Sequence, residues 1–116
     1  MNVELDLHLH TSASDGKLSP RELVRFVASK GLKQFAITDH DTTLSLEEAK
    51  IATQQFNDLE VIPGIELSTS FRDEEVHILG YHLDPLCQNL QSVLHNFRSE
   101  RKVAIKQTVE LSLIHI

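Results

Sequence analysis

Two short stretches, "SPRE" at Ser19–Glu22 and "SLEE" at Ser45–Glu48, constrain this chain most, because each reads as a helix start set between two apolar runs. In the first, Ser19 is placed as N-cap, Pro20 at the first helical position and Glu22 at the third. The helix that follows carries Leu23, Val24, Val27 and Ala28 on one stripe and ends at Gly31. Before it, Val3, Leu5, Leu7 and Leu9 alternate with Glu4, Asp6, His8 and His10, a period-two pattern that predicts a strand with its histidines on the polar face. "QFAIT" (Gln34–Thr38) predicts a short strand of the kind buried in parallel sheets. Ser45 then opens a second helix to about Asn57, and "LEVIPGIELST" is a third strand bent at Pro63 and Gly64. "VHILGY" (Val76–Tyr81) is a fourth, reached through the charged turn "RDEE", which assigns Glu74 and Glu75 to the turn. From Leu86 to about Glu110 the pattern is helical, with Leu86, Leu90, Val93, Leu94 and Phe97 on one face. Strand, helix, strand, helix, strand predicts an α/β fold of parallel β/α units, in which function sits at the carboxyl ends of the strands.

Chemistry-bearing residues gather at those predicted ends. His8 and His10 close the first strand, His40 follows the second, Glu66 lies late in the third and His77 lies in the fourth. Two imidazoles at i and i+2 of a strand project to one face, and Asp15 follows five residues after His10. Histidine and carboxylate together suit Zn2+, Mn2+ or Fe2+, and ligands spread over most of a chain suggest a polynuclear hydrolytic site. In such a site one carboxylate bridges two ions and a metal-bound hydroxide attacks. The single cysteine, Cys87, has no C-x-x-C partner and reads as a buried helix residue, which argues against a structural zinc knot. Asp39 and Asp6 are expected to orient ligand imidazoles from behind, since such rings usually donate their other N–H to a carboxylate. Asp41 is expected to cap the turn after its strand, and His82 and His95 to be solvated surface residues. Ser12 and Ser14 are weak candidates for phosphate hydrogen bonds.

The 116 residues have room for one small domain or part of a larger one. No apolar run approaches the length of a membrane span, and Met1 leads directly into an acidic strand instead of a leader, so the cytoplasm is the expected compartment. A formal charge of −6 argues against a long-range field that gathers nucleic acid, although bound metal can reverse the potential locally.

"DLHLHTSASDG", "ITDHDT", "IPGIELST" and "VHILGY", taken together and in order, resemble the first motifs of the PHP (polymerase and histidinol phosphatase) superfamily. The wording is most similar to its small bacterial phosphoesterases, the nucleoside 3′,5′-bisphosphate phosphatases and 5′-to-3′ exoribonucleases. That resemblance implies a distorted (β/α)7 TIM-like barrel, of which residues 1–110 would be the N-terminal part, and a site for up to three ions, Mn2+ foremost. It implies that His8 and His10 hold the first metal, that Glu66 bridges it to a second completed by His77, and that Asp15 and His40 hold the third. It also implies a further histidine and a late Asp-x-His pair beyond this chain, so that these residues alone are expected to be inactive. The implied substrate is a nucleotide or short RNA, with no membrane and no obligate protein partner. A histidinol-phosphatase-like monoesterase is the alternative enzyme reading, and a non-catalytic, metal-braced module the alternative of another class. Finally, "LSLIHI" (residues 111–116) matches the translation of a transposase-adapter sequence and is expected to be a non-native tail.

Overall fold

The computed structural model of the protein describes residues 5–100. The segment 111–116, and the last helix beyond residue 100, lie outside the described residues.

Four strands and two helices make up the part of the chain to Pro85: β1 (Leu5–Leu9), α1 (Pro20–Ser29), β2 (Gln34–Ile37), α2 (Leu46–Thr53), β3 (Glu60–Phe71) and β4 (Glu74–Tyr81). The sheet order is β1-β2-β3-β4, with the first three strands parallel. Both helices bury their stripes in one core, where Leu23, Val24 and Val27 of α1 and Leu46, Ala49 and Ala52 of α2 meet Phe35 and Ile37 of β2. Burial of so many aliphatic groups is the main term holding the helices on the sheet.

β4 departs from the expected parallel series. It pairs antiparallel with β3, opposite Gly64–Phe71, because only Arg72 and Asp73 connect the two strands. Both take positive φ (52° and 65°), as a two-residue hairpin turn demands, and two residues cannot make a parallel crossover. Glu74 and Glu75 are therefore strand residues and not turn residues. β3 changes partner at Pro63 and Gly64, where pairing with β2 ends and pairing with β4 begins. Glu66 consequently lies in mid-strand, just past the end of β2.

β1 and β4 form the two edges, and Leu5, Leu7, Val76, Ile78, Leu79 and Tyr81 are exposed there. Leu9 is the residue of β1 packed against the helical core.

The residues from Leu86 on form a second compact unit, helical over 88–100. Leu94 is fully buried, whereas Leu86, ahead of the helix, and Val93, a residue off the stripe, are exposed. Cys87 is exposed too, since the helix starts one residue later and leaves it off the apolar face. His82 and His95 are both exposed. No helix among the described residues is long and apolar enough to cross a membrane.

Candidate metal centre

Parallel register sets the three strand ends side by side. Leu9 pairs with Ile37, the Thr38 N–H donates to the Leu9 carbonyl, and a parallel bridge joins His40 to Glu66. His8, His10, His40 and Glu66 thereby reach one rim. His77 joins them from the other direction: β4 runs backwards, so a residue near its start lies beside the late part of β3, opposite Ser68. Asp15 is brought in by the loop after β1, which folds back so tightly that a Cβ on Gly16 would stand 2.6 Å from the His10 carbonyl oxygen.

Glu66 is the hub. Glu66 as a whole is only 4% exposed, yet its carboxylate touches four imidazoles: His8 Nε2 at 2.7 Å, His40 Nδ1 at 3.2 Å, His10 Nε2 at 3.5 Å and His77 Nδ1 at 3.7 Å. Asp15 stands on the other side of two of those rings, 2.5 Å from His10 Nδ1 and 3.2 Å from His40 Nε2. Neighbouring rings lie 4.6–5.2 Å apart between centroids along the series His8, His10, His40, His77.

Six ligand-type residues thus form three overlapping groups, each close enough to share one ion: His8, His10 and Glu66; His10, Asp15 and His40; His40, Glu66 and His77. Two nitrogens test the fit. His10 Nε2 and His40 Nδ1 are buried and make no hydrogen bond, although both lie close to the same Glu66 oxygen. A buried nitrogen left unpaired is costly, and a cation among these atoms would satisfy both lone pairs. The donor set, nitrogen and carboxylate oxygen without sulfur, suits Mn2+, Zn2+ or Fe2+.

Charge within the cluster shifts two titrations. The hydrogen bond from His10, helped by the His10 and His40 charges against a smaller desolvation cost, holds the Asp15 carboxyl below its usual range. His77 is raised, first by its hydrogen bond to Glu75 and then by the Glu75 and Glu66 charges.

Several expected roles are reassigned. Asp39 touches no ligand ring; its buried carboxylate accepts hydrogen bonds from Thr11, Ser14 and Ser45 instead. Asp6 accepts from the backbone N–H of His8, two residues on, and so braces the strand and not the imidazole. Asp41, at φ 55°, accepts from the Ser68 N–H and fastens its loop to β3. The Ser14 hydroxyl donates to Asp39 at 2.8 Å and also reaches Asp15 Oδ1 at 3.5 Å, whereas Ser12 is exposed.

The carboxylate that does back a ring is Glu75, 2.9 Å from His77 Nε2. Strand alternation carried the signal, since Glu75 and His77 are i and i+2. Ser68 was also missed: its hydroxyl is buried without a partner, and register sets it against His77.

A family model for the PHP domain matches residues 6–110. The chain belongs to the PHP domain family. A 5'-3' exoribonuclease of Haemophilus influenzae is 36% identical over 111 residues, covering 96% of this chain and 39% of that protein. A 3',5'-nucleoside bisphosphate phosphatase of Chromobacterium violaceum is 35% identical over 105 residues, 90% of this chain and 36% of its own length. Among solved structures, a protein of Bifidobacterium adolescentis assigned as a metal-dependent phosphoesterase superposes with a TM-score of 0.82 at 37% identity, over 94% of this chain and 38% of that one. This PHP chain therefore spans about two fifths of the length of the relatives it matches.

Proposed function

We propose that this chain supplies the first six ligands of a metal-dependent phosphoesterase acting on nucleotides or short RNA. The observation that carries the reading is the one buried carboxylate, Glu66, in reach of four imidazoles. His8 and His10 would hold one ion, Glu66 would share it with a second that His77 completes, and Asp15 and His40 would hold a third. Mn2+ is the leading candidate, with Zn2+ and Fe2+ as alternatives. Divalent ions in such a site supply an activated water and neutralise charge on phosphate oxygens. The chain's own contribution is orientation: Glu66 draws the rings together, and Glu75 fixes the far nitrogen of His77 so that Nδ1 faces the cluster.

The substrate class is supported by the names of the two relatives, an exoribonuclease and a nucleoside bisphosphate phosphatase. Turnover is expected of a protein at the relatives' full length, with residues 1–110 as the first part of its barrel. The 116 residues alone are expected to be inactive, and 111–116 to contribute nothing.

The test uses a protein carrying this chain at that full length, stripped by chelator and reloaded with Mn2+. Hydrolysis of a nucleoside 3′,5′-bisphosphate and of a short 5′-phosphorylated RNA should require the ion. Undiminished turnover after verified metal removal overturns the reading. In the same protein Glu66→Gln should cost far more activity and metal than His82→Ala, and equal losses would refute the role of Glu66.

A further inference from the structure

Asp39 is 1% exposed, and its carboxylate accepts four hydrogen bonds: from the Thr11 N–H at 2.6 Å, the Thr11 hydroxyl at 2.7 Å, the Ser14 hydroxyl at 2.8 Å and the Ser45 hydroxyl at 2.6 Å. Its partners come from the loop after β1 and from the residue before α2, so one carboxylate ties three segments together. Thr11 and Ser45 are themselves buried.

The chain neighbours of this knot are the telling feature. Thr11 follows His10, Ser14 precedes Asp15, and Asp39 precedes His40. Those three neighbours are the members of one ligand group, the one without Glu66. Consecutive Cα atoms are held about 3.8 Å apart by a planar peptide, so fixing Thr11, Ser14 and Asp39 leaves each ligand little beyond its own side-chain torsions. The other ligands are placed differently. His8, Glu66 and His77 take their positions from the strands and follow or precede no member of the knot in the chain; the Glu66 N–H donates to the Asp39 carbonyl, a backbone bond that a side-chain substitution at Asp39 leaves in place.

We propose that Asp39 is a positioning residue, chiefly for the ion of Asp15 and His40: through Thr11, Ser14 and its own peptide it sets the mutual placement of His10, Asp15 and His40, without touching the ion or any of the three side chains. The inference rests on the metal reading above and deepens it. Its specific consequence is a graded loss: without Asp39 the ion of Asp15 and His40 weakens most, the ion of His8 and His10 is affected through His10 alone, and the ion held by Glu66 and His77 is affected least. Losing an outer partner of this kind commonly weakens metal affinity by about tenfold to a hundredfold.

The experiment titrates the metal-free protein, carrying this chain at the relatives' full length, with Co2+ as probe, following ligand-field absorption, with bound Co2+ counted by elemental analysis and folding checked by far-UV circular dichroism. Asp39→Ala and Asp15→Asn should lose the same spectral phase, with at least a tenfold rise in its midpoint, while the phase sensitive to Glu66→Gln persists. An Asp39→Ala titration like that of the wild type, or an equal loss of all phases in a folded variant, overturns the proposal. If Asp39→Ala does not fold, the Thr11 pair decides: Thr11→Val should lose the Asp15-dependent phase and Thr11→Ser should keep it, and identical behaviour of the two overturns the proposal. A wild-type chain that takes up no Co2+ overturns the metal reading and this inference with it, an outcome distinct from normal uptake that ignores Asp39.

Discussion

The two helix starts of this protein share a signature and differ in what they do with it. At α1, Ser19 is extended (φ −62°, ψ 161°), its hydroxyl accepts from the Glu22 N–H, and the Glu22 carboxylate accepts from the Ser19 N–H. The capping box is complete. At α2, Ser45 is already helical (φ −77°, ψ −16°) and makes no side-chain cap; its hydroxyl donates to Asp39 at 2.6 Å. A cap needs an extended residue whose side chain can turn back onto the first free N–H groups, and Ser45 has neither the conformation nor the free hydroxyl. A charge-assisted bond to a buried carboxylate outweighs a cap bond at the helix start. A local signature decides where its surroundings are solvent, and yields where they are the candidate metal centre.

The difference can be broken or sharpened by paired substitutions. The largest gap is expected between two glycines. Gly16→Ala would drive a Cβ into the backbone of His10 and Thr11, costing about 3 kcal/mol and displacing Asp15. Gly31→Ala, just after α1 at φ 77° with open space around it, should cost only the left-handed strain of about 1 kcal/mol. Denaturant unfolding measures both, and equal costs would show that the loop at Asp15 is no tighter than a helix end. Next, Ser45→Ala leaves Asp39 one donor short and should destabilise by about 2 kcal/mol, against about 1 kcal/mol for the lost cap in Ser19→Ala. The reverse order would break the comparison. Smaller still is the glutamate pair: Glu22→Ala should exceed Glu48→Ala by about 0.5 kcal/mol, since both face a helix N-terminus but only Glu22 closes a box.

The smallest effect concerns His77, which is largely exposed. Glu75→Gln in the metal-free chain should bring its raised pKa down toward the ordinary value, read by NMR titration of the ring. The sign follows from linkage: a raised folded pKa favours the protonated ring, so the pair's contribution is complete below the unfolded pKa of about 6.5 and is lost as pH climbs through the folded value. An unchanged titration would remove Glu75 from the site.

Period-two and helical spacing placed the four strands and the first two helices within a few residues, because both depend on which side chains a short segment must bury. They also placed His8, His10, His40, Glu66 and His77 in or close to strand ends, whereas Asp15 entered the set through the resemblance and reaches the rim on the loop after β1. Direction was a different matter. Apolar alternation is the same read either way, so the reversal of β4, and with it the place of Glu74 and Glu75, depended on the two-residue link at Arg72–Asp73. Cys87 was misplaced for a similar reason, as one residue at a helix start decides between stripe and solvent.

By itself, then, the sequence determined the α/β alternation, the first helix cap and the gathering of histidines at strand ends, all of which follow from spacing along a few residues. Only the tertiary structure decided where Asp39, Ser45 and Glu75 spend their hydrogen bonds, and that Glu66 gathers four rings. Asp39 finds Thr11 across 28 positions and Ser14 across 25, and Glu66 finds His8 across 58. At such separations the choice of partner is set by strand register and by the cost of leaving a buried charge unpaired, neither of which any short stretch of chain contains.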